Sequence, residues 1–99
     1  MVLGNLVACK NGATSVYPNE GFDPISSLRA IRDEKCTAFY GVPTMFTSLL
    51  AELPNDSSYD VSSLRTGLMS GAVCPAPLIQ RVFDDLNMHG LCIVYGMTE

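Results

Sequence analysis

The sequence predicts an α/β fold, a three-layer α/β/α arrangement around a mainly parallel sheet. Three observations carry that expectation. Short apolar runs alternate along the chain with stretches of helical period, the order that produces parallel strands joined by right-handed crossovers. Several of the short runs are apolar on consecutive positions, as in strands covered on both faces. Gly, Pro, Asn and Asp punctuate the junctions between them.

Taken in order, Met1 to Lys10 reads as a leading helix capped by Asn11-Gly12, followed by a strand at Thr14-Ser15-Val16-Tyr17. Asp23-Pro24 is an N-cap and first-turn pair, and Ile25, Leu28 and Ile31 then recur at spacings of three before the charged stretch Arg32-Asp33-Glu34-Lys35. Thr37-Ala38-Phe39-Tyr40 is the next strand. Pro43 opens a second helix whose apolar residues Met45, Phe46, Leu49, Leu50 and Leu53 share one face, and Pro54-Asn55-Asp56 ends it. Met45 and Phe46 are assigned to packing of that helix against the sheet. The polar stretch Pro54 to Ser63 reads as a surface loop and Gly67-Leu68-Met69-Ser70 as a strand. A third helix starts near Pro75-Ala76-Pro77, presents Leu78, Ile79, Val82, Phe83 and Leu86, and stops between Asn87 and Gly90, with Gly90 as the left-handed cap. Leu91-Cys92-Ile93-Val94-Tyr95 is the last strand.

Composition narrows the function classes. The chain has 99 residues, 47% of them hydrophobic and 16% charged, with a formal net charge of −4. This is the size of one core, and the apolar content is the opposite of the signature of disorder. Six Lys and Arg against ten Asp and Glu, without a run of one sign, do not make the basic stripe that nucleic-acid binding requires. No apolar run approaches the roughly 20 residues of a transmembrane helix, and Met1 to Cys9 lacks the charged start and cleavage site of a signal peptide. An intracellular or organellar setting is expected.

Cys9, Cys36, Cys74 and Cys92 have no CxxC spacing. Cys9, Cys36 and Cys92 read as small buried thiols, while Cys74 sits in a Gly and Pro loop with no base beside it in sequence. His89 falls at a helix end, where a cation suits the dipole, and the adjacent pair Asp84-Asp85 reads as a solvated face.

The functional signal lies at the strand ends. In open parallel sheets ligands bind where strands lead into helices. Three successive strands here run into small or polar residues: Tyr40-Gly41-Val42-Pro43-Thr44, Ser70-Gly71-Ala72-Val73 and Tyr95-Gly96-Met97-Thr98-Glu99. The last combines an aromatic face that can stack on a purine, a hydroxyl that can donate to a phosphate oxygen, and a carboxylate that can hold Mg²⁺ shared with phosphates.

These segments, in this order and spacing, together with Leu64-Arg65-Thr66-Gly67-Leu68-Met69-Ser70-Gly71-Ala72, resemble the adenylate-forming superfamily of acyl-CoA synthetases, luciferases and peptide-synthetase adenylation domains. The medium-chain acyl-CoA synthetase branch is the most similar. The resemblance covers residues 1–99 and corresponds to a partial AMP-binding domain, a middle portion of the family's large N-terminal domain. It implies an acid-thiol ligase of fatty acid metabolism, cytoplasmic or mitochondrial. Its substrates would be ATP, a small-molecule carboxylic acid, namely a medium-chain fatty acid, and CoA, with Mg²⁺ as cofactor. ATP and the acid give an acyl-adenylate and pyrophosphate, and the CoA thiol then displaces AMP. It further implies that Tyr95 stacks on adenine, that Ser70, Gly71 and Ala72 line the other side of the nucleotide pocket, and that Gly96 and Met97 shape the loop. Thr98 would contact the α-phosphate and Glu99 would ligate Mg²⁺, the two groups that stabilise charge in the transition state. Tyr40, Gly41 and Val42 would line the acyl pocket.

The chain also departs from the family pattern. Ser70-Gly71-Ala72-Val73-Cys74-Pro75-Ala76-Pro77-Leu78 is longer than the compact form of many members. The Ser/Thr/Gly-rich phosphate loop with its lysine, the ribose-binding Asp and the C-terminal domain with its catalytic lysine are absent from residues 1–99, and neither Asn11-Gly12 nor Gly71-Ala72-Val73 replaces that loop. The expectation is therefore an internal piece of a ligase, inactive and aggregation-prone in isolation because uncovered strands need neighbours. The rival expectation is a small non-catalytic α/β module that binds nucleotide or a partner.

Overall fold

The structure, a computed structural model, describes residues 2–97. Its elements are a π-helical stretch Val2–Leu6 continuing into α1 (Val7–Lys10), α2 (Pro24–Glu34), β1 (Ala38–Gly41), α3 (Pro43–Glu52) with a 3₁₀ turn at Leu53–Asn55, β2 (Thr66–Met69), α4 (Ala76–Leu86) and β3 (Gly90–Ile93). The strands form a parallel sheet in the order β1-β2-β3. They pair in register, Ala38, Thr66 and Gly90 forming one row and Gly41, Met69 and Ile93 another. The α/β expectation holds, with α3 and α4 as the crossovers.

Local chemistry explains the boundaries. Asp23 caps α2 by accepting from the Ser26 amide at 2.7 Å, and Pro24 occupies the first turn. The helix stops at Lys35, which takes the left-handed conformation at φ 52°, with the Cys36 amide donating to Ile31 O at 3.2 Å. The end of α4 is built the same way, but on Asn87 (φ 58°) rather than on Gly90, which is already the first residue of β3. Asn tolerates this backbone region, and its side-chain amide donates to Leu64 O at 3.2 Å, so no glycine is needed three residues later.

Two successive right-handed crossovers in one direction place α3 and α4 on the same face of the sheet. The core lies there: Ile31, Phe46, Leu50, Leu64, Met69, Val82, Leu86 and Met88 are buried in one cluster, with Phe39 and Leu91 packed against it. Phe39 and Phe46 meet edge to face with ring centroids 5.1 Å apart. Gly67 has room for no side chain, since a Cβ would collide with Phe39 O and Met88 Cε. Alternate strand residues point the other way. On that second face Tyr40 and Cys92 are exposed, and the N-terminal helical stretch approaches β1, a Cβ on Gly4 coming to 3.5 Å from the Tyr40 ring.

Other expectations also need correction. Thr14 to Tyr17 is irregular and exposed, because β1 pairs with β2 alone among the described residues and leaves that run no ladder partner. Cys9 and Cys92 are exposed rather than buried, the first on a helix with no buried residue and the second on the open sheet face. Cys36 is half-buried, and burial pushes its thiol up, with Glu34 adding to the effect.

Candidate nucleotide and acyl site

The parallel register brings the carboxyl ends of all three strands to one edge, at Gly41, Met69 and Ile93. Backbone pairing continues one residue beyond them. The Ser70 amide donates to Gly41 O at 3.3 Å and the Val94 amide to Met69 O at 3.1 Å. The 70–75 and 94–97 segments therefore leave the sheet side by side. Gly71 turns with φ +90°, a conformation that disfavours any side chain, and a Cβ there would stand 3.0 Å from Val42 Cγ1. This close approach joins the 70–75 loop to the start of α3.

Between the two segments lies a cleft of ≈ 400 Å³, with Ser70, Gly71 and Ala72 on one wall and Tyr95 and Gly96 on the other. Nothing stands within 4 Å of a Cβ position on Gly96, so a ligand can approach the backbone there. The Tyr95 ring is 89% exposed at the rim, and its hydroxyl donates to Met97 Sδ at 3.1 Å. Among the described residues, no charged side chain lines the cleft. Its polar groups are backbone amides, the Ser70 hydroxyl and the Cys74 thiol, which donates to Ala72 O at 3.5 Å.

The structure thus brings together Ser70, Gly71, Ala72, Tyr95 and Gly96 of the sequence candidates for nucleotide binding, while Met97 is not among the residues lining the cleft. Thr98 and Glu99 lie outside the described residues. Among those described, no group of three or more His, Cys, Asp and Glu could hold a metal ion. Tyr40 is not part of this cleft. It is 47% exposed and lines a larger cavity of ≈ 880 Å³ between the N-terminal helical stretch, α2 and β1. Gly41 and Val42 sit between the two spaces, touching the cleft through Ser70 and Gly71.

Met45 also lines the larger cavity and is only half-buried, so it is not confined to packing against the sheet. Gly4 and Met45 were not legible as cavity residues, because nothing in the local pattern tells which helical positions overhang β1. Cys74 and Val94 in the cleft had a weak signal, their adjacency to the strand ends.

Among the described residues, the ion pairs lie on α2, α4 and the 56–63 loop. Asp60 is held down at about 2 by the Ser62 hydroxyl and amide and by Lys35, whose ammonium stands 3.1 Å away. Arg32 donates to Asp33 at 2.7 Å and to Ser58 at 3.2 Å, tying α2 to the 56–63 loop. On α4, Gln80 donates to Asp84 and Arg81 pairs with Asp85 at 3.6 Å, while exposed His89 stands 6.0 Å from the Phe83 ring.

A parallel sheet with a cleft at its strand ends defines the fold class, and sequence comparison defines the family. The AMP-binding enzyme family model matches residues 1–99, and the chain belongs to that family. It is 52% identical over its whole length to the acyl-CoA ligase SID4 of Ajellomyces capsulatus. It is 41% identical over 97% of its length to the mitochondrial medium-chain acyl-CoA ligase ACSF2 of Mus musculus. The chain spans 17% and 15% of those two proteins. Among solved structures, the anthranilate CoA ligase AuaEII in complex with anthranoyl-AMP superimposes with a TM-score of 0.75 at 29% identity, over 89% of this chain and 17% of that one. No helix among the described residues is long and apolar enough to cross a membrane.

Proposed function

We propose that residues 1–99 form a partial AMP-binding domain that supplies the strand-end portion of the active site of an ATP-dependent acyl-CoA ligase. The observation that carries this reading is the single cleft in which Ser70, Gly71 and Ala72 face Tyr95 and Gly96, in a chain of the AMP-binding enzyme family. Tyr95 stacks on adenine. The backbone of Ser70 to Ala72 closes the opposite side of the nucleotide, and Gly96 and Met97 let the loop follow it. Thr98 donates to the α-phosphate as the carboxylate of the acid attacks phosphorus and pyrophosphate leaves, so that its hydroxyl is strongest where charge develops. Glu99 would hold Mg²⁺, which would supply charge to offset that of the phosphates. The CoA thiol then attacks the acyl carbon and AMP departs.

The acyl chain lies toward Tyr40, Gly41 and Val42, and the larger cavity behind Tyr40 gives it room. A medium-chain acid is the preferred substrate, in keeping with the name of the mouse relative, and the setting is intracellular, cytoplasmic or mitochondrial, the last being supported by that relative's name. The 99 residues alone lack a phosphate-loop lysine and do not catalyse.

The test is a chimera in which residues 1–99 replace the matching portion of the Ajellomyces capsulatus ligase. Carboxylate-dependent pyrophosphate release is expected, with octanoate among the accepted acids. Tyr95→Ala should weaken ATP binding by about 1–3 kcal/mol, the worth of one aromatic stack on a base. An unchanged ATP dependence in that variant, or pyrophosphate release by the 99-residue chain alone, would contradict the reading.

A further inference from the structure

We infer that Asn11-Gly12 is a site of spontaneous deamidation, set at the end of α1 on the wall of the larger cavity. Asn11 is the one asparagine of five followed by glycine; Asn5, Asn19, Asn55 and Asn87 precede Leu, Glu, Asp and Met. Glycine leaves the following amide nitrogen unhindered. That nitrogen attacks the Asn11 side-chain carbonyl carbon, the new C–N bond closes a succinimide, and the C–Nδ2 bond breaks with release of ammonia. Water then opens the ring at either carbonyl, leaving aspartate or isoaspartate.

In the folded chain both reacting groups are held. The Asn11 side-chain amide donates to Val7 O at 2.8 Å and the Gly12 amide donates to Cys9 O at 3.2 Å. Ring closure must break both bonds. Opening the helix end also releases the Ala13 amide from Ala8 O at 2.8 Å but uncovers no core, because Val2–Leu6 and Val7–Lys10 contain no buried residue and Asn11 and Gly12 are exposed. The reaction therefore proceeds through local opening and does not wait for global unfolding. Its product has a lasting effect. A carboxylate cannot donate to Val7 O, and it places a negative charge where the helix already presents carbonyls. Asn11 and Ala13 both line the larger cavity, so modification loosens that wall.

The test follows the 99-residue chain at neutral and mildly alkaline pH by peptide mass spectrometry and isoaspartate detection, beside the same chain in urea. The expected result is conversion at Asn11 alone, faster at higher pH, slower in buffer than in urea but measurable under native conditions. Asn11→Asp should raise hydrogen exchange at residues 11–13 and leave the α3 and α4 amides unchanged. Equal rates in buffer and urea would show that no cap holds the site. Absence of conversion in buffer would show that the helix end does not open. Either result overturns the inference.

Discussion

The two faces of the sheet are built from the same three strands and behave as different materials. Toward α3 and α4, Phe39, Met69 and Leu91 join a closed cluster around Phe46, Val82 and Leu86. Toward the other side, Tyr40 and Cys92 stay exposed in one register row with half-buried Leu68. The difference shows that apolarity along a strand fixes neither which face is covered nor by what. Packing energy is concentrated on the helix side. The residues proposed to meet ligands occupy the strand ends and the opposite side, where burial does not hold them.

The largest test of this contrast is Phe46→Ala, which removes a fully buried ring and should cost about 3–5 kcal/mol in urea unfolding. Met69→Ala on the same side should cost about 2–5 kcal/mol, whereas Cys92→Ser on the open face should change stability by about 0.5 kcal/mol or less. Equal costs for the last two would mean that both faces are covered in solution. Next comes Gly67→Ala, where a methyl group forced against Phe39 O and Met88 should cost about 1–3 kcal/mol. A neutral result there would show that β1 and β2 can separate without penalty.

The smallest effect is on acid titration. Asp23 and Asp60 have carboxyls held below the usual 3.8, Asp23 by the hydroxyl and amide of Ser26 and Asp60, at about 2, by Ser62 and Lys35. A depressed folded value means that each contribution is present above the ordinary carboxylate range and is lost as pH falls through the folded one. For Asp60 the loss falls between pH 3.8 and about 2. Asp60→Asn should flatten the stability profile in that window and leave it unchanged at pH 7 apart from a constant offset. A variant profile parallel to the wild type through the window would remove Asp60 from the acid response.

Much of this was legible in the sequence because the signals are local. The Asp23-Pro24 cap, the proline starts of α3 and α4, and the spacing of Phe46, Leu49 and Leu50 or of Val82 and Leu86 each act within one or two turns. The meeting of Ser70 to Ala72 with Tyr95 and Gly96 was also foreseeable, since parallel strands bring consecutive carboxyl ends to one edge. What failed was not local. Thr14 to Tyr17 has strand-like composition, but a strand exists only if a neighbour accepts its hydrogen bonds. Gly90 looked like a cap because glycine favours positive φ, yet Asn87 reached that conformation first and anchored itself to Leu64 O. The larger cavity depends on where Gly4 lies relative to Tyr40, an approach across 36 positions that no periodicity encodes.

The most direct measurement is an amide NMR titration of the 99-residue chain with AMP. If the strand-end cleft is the nucleotide site, the Gly71, Ala72, Tyr95 and Gly96 amides shift together along one binding curve while Asn11 and Phe39 beside the larger cavity stay in place. Shifts confined to the larger cavity, or none at those four amides as AMP is raised into the millimolar range, would contradict the assignment of the cleft.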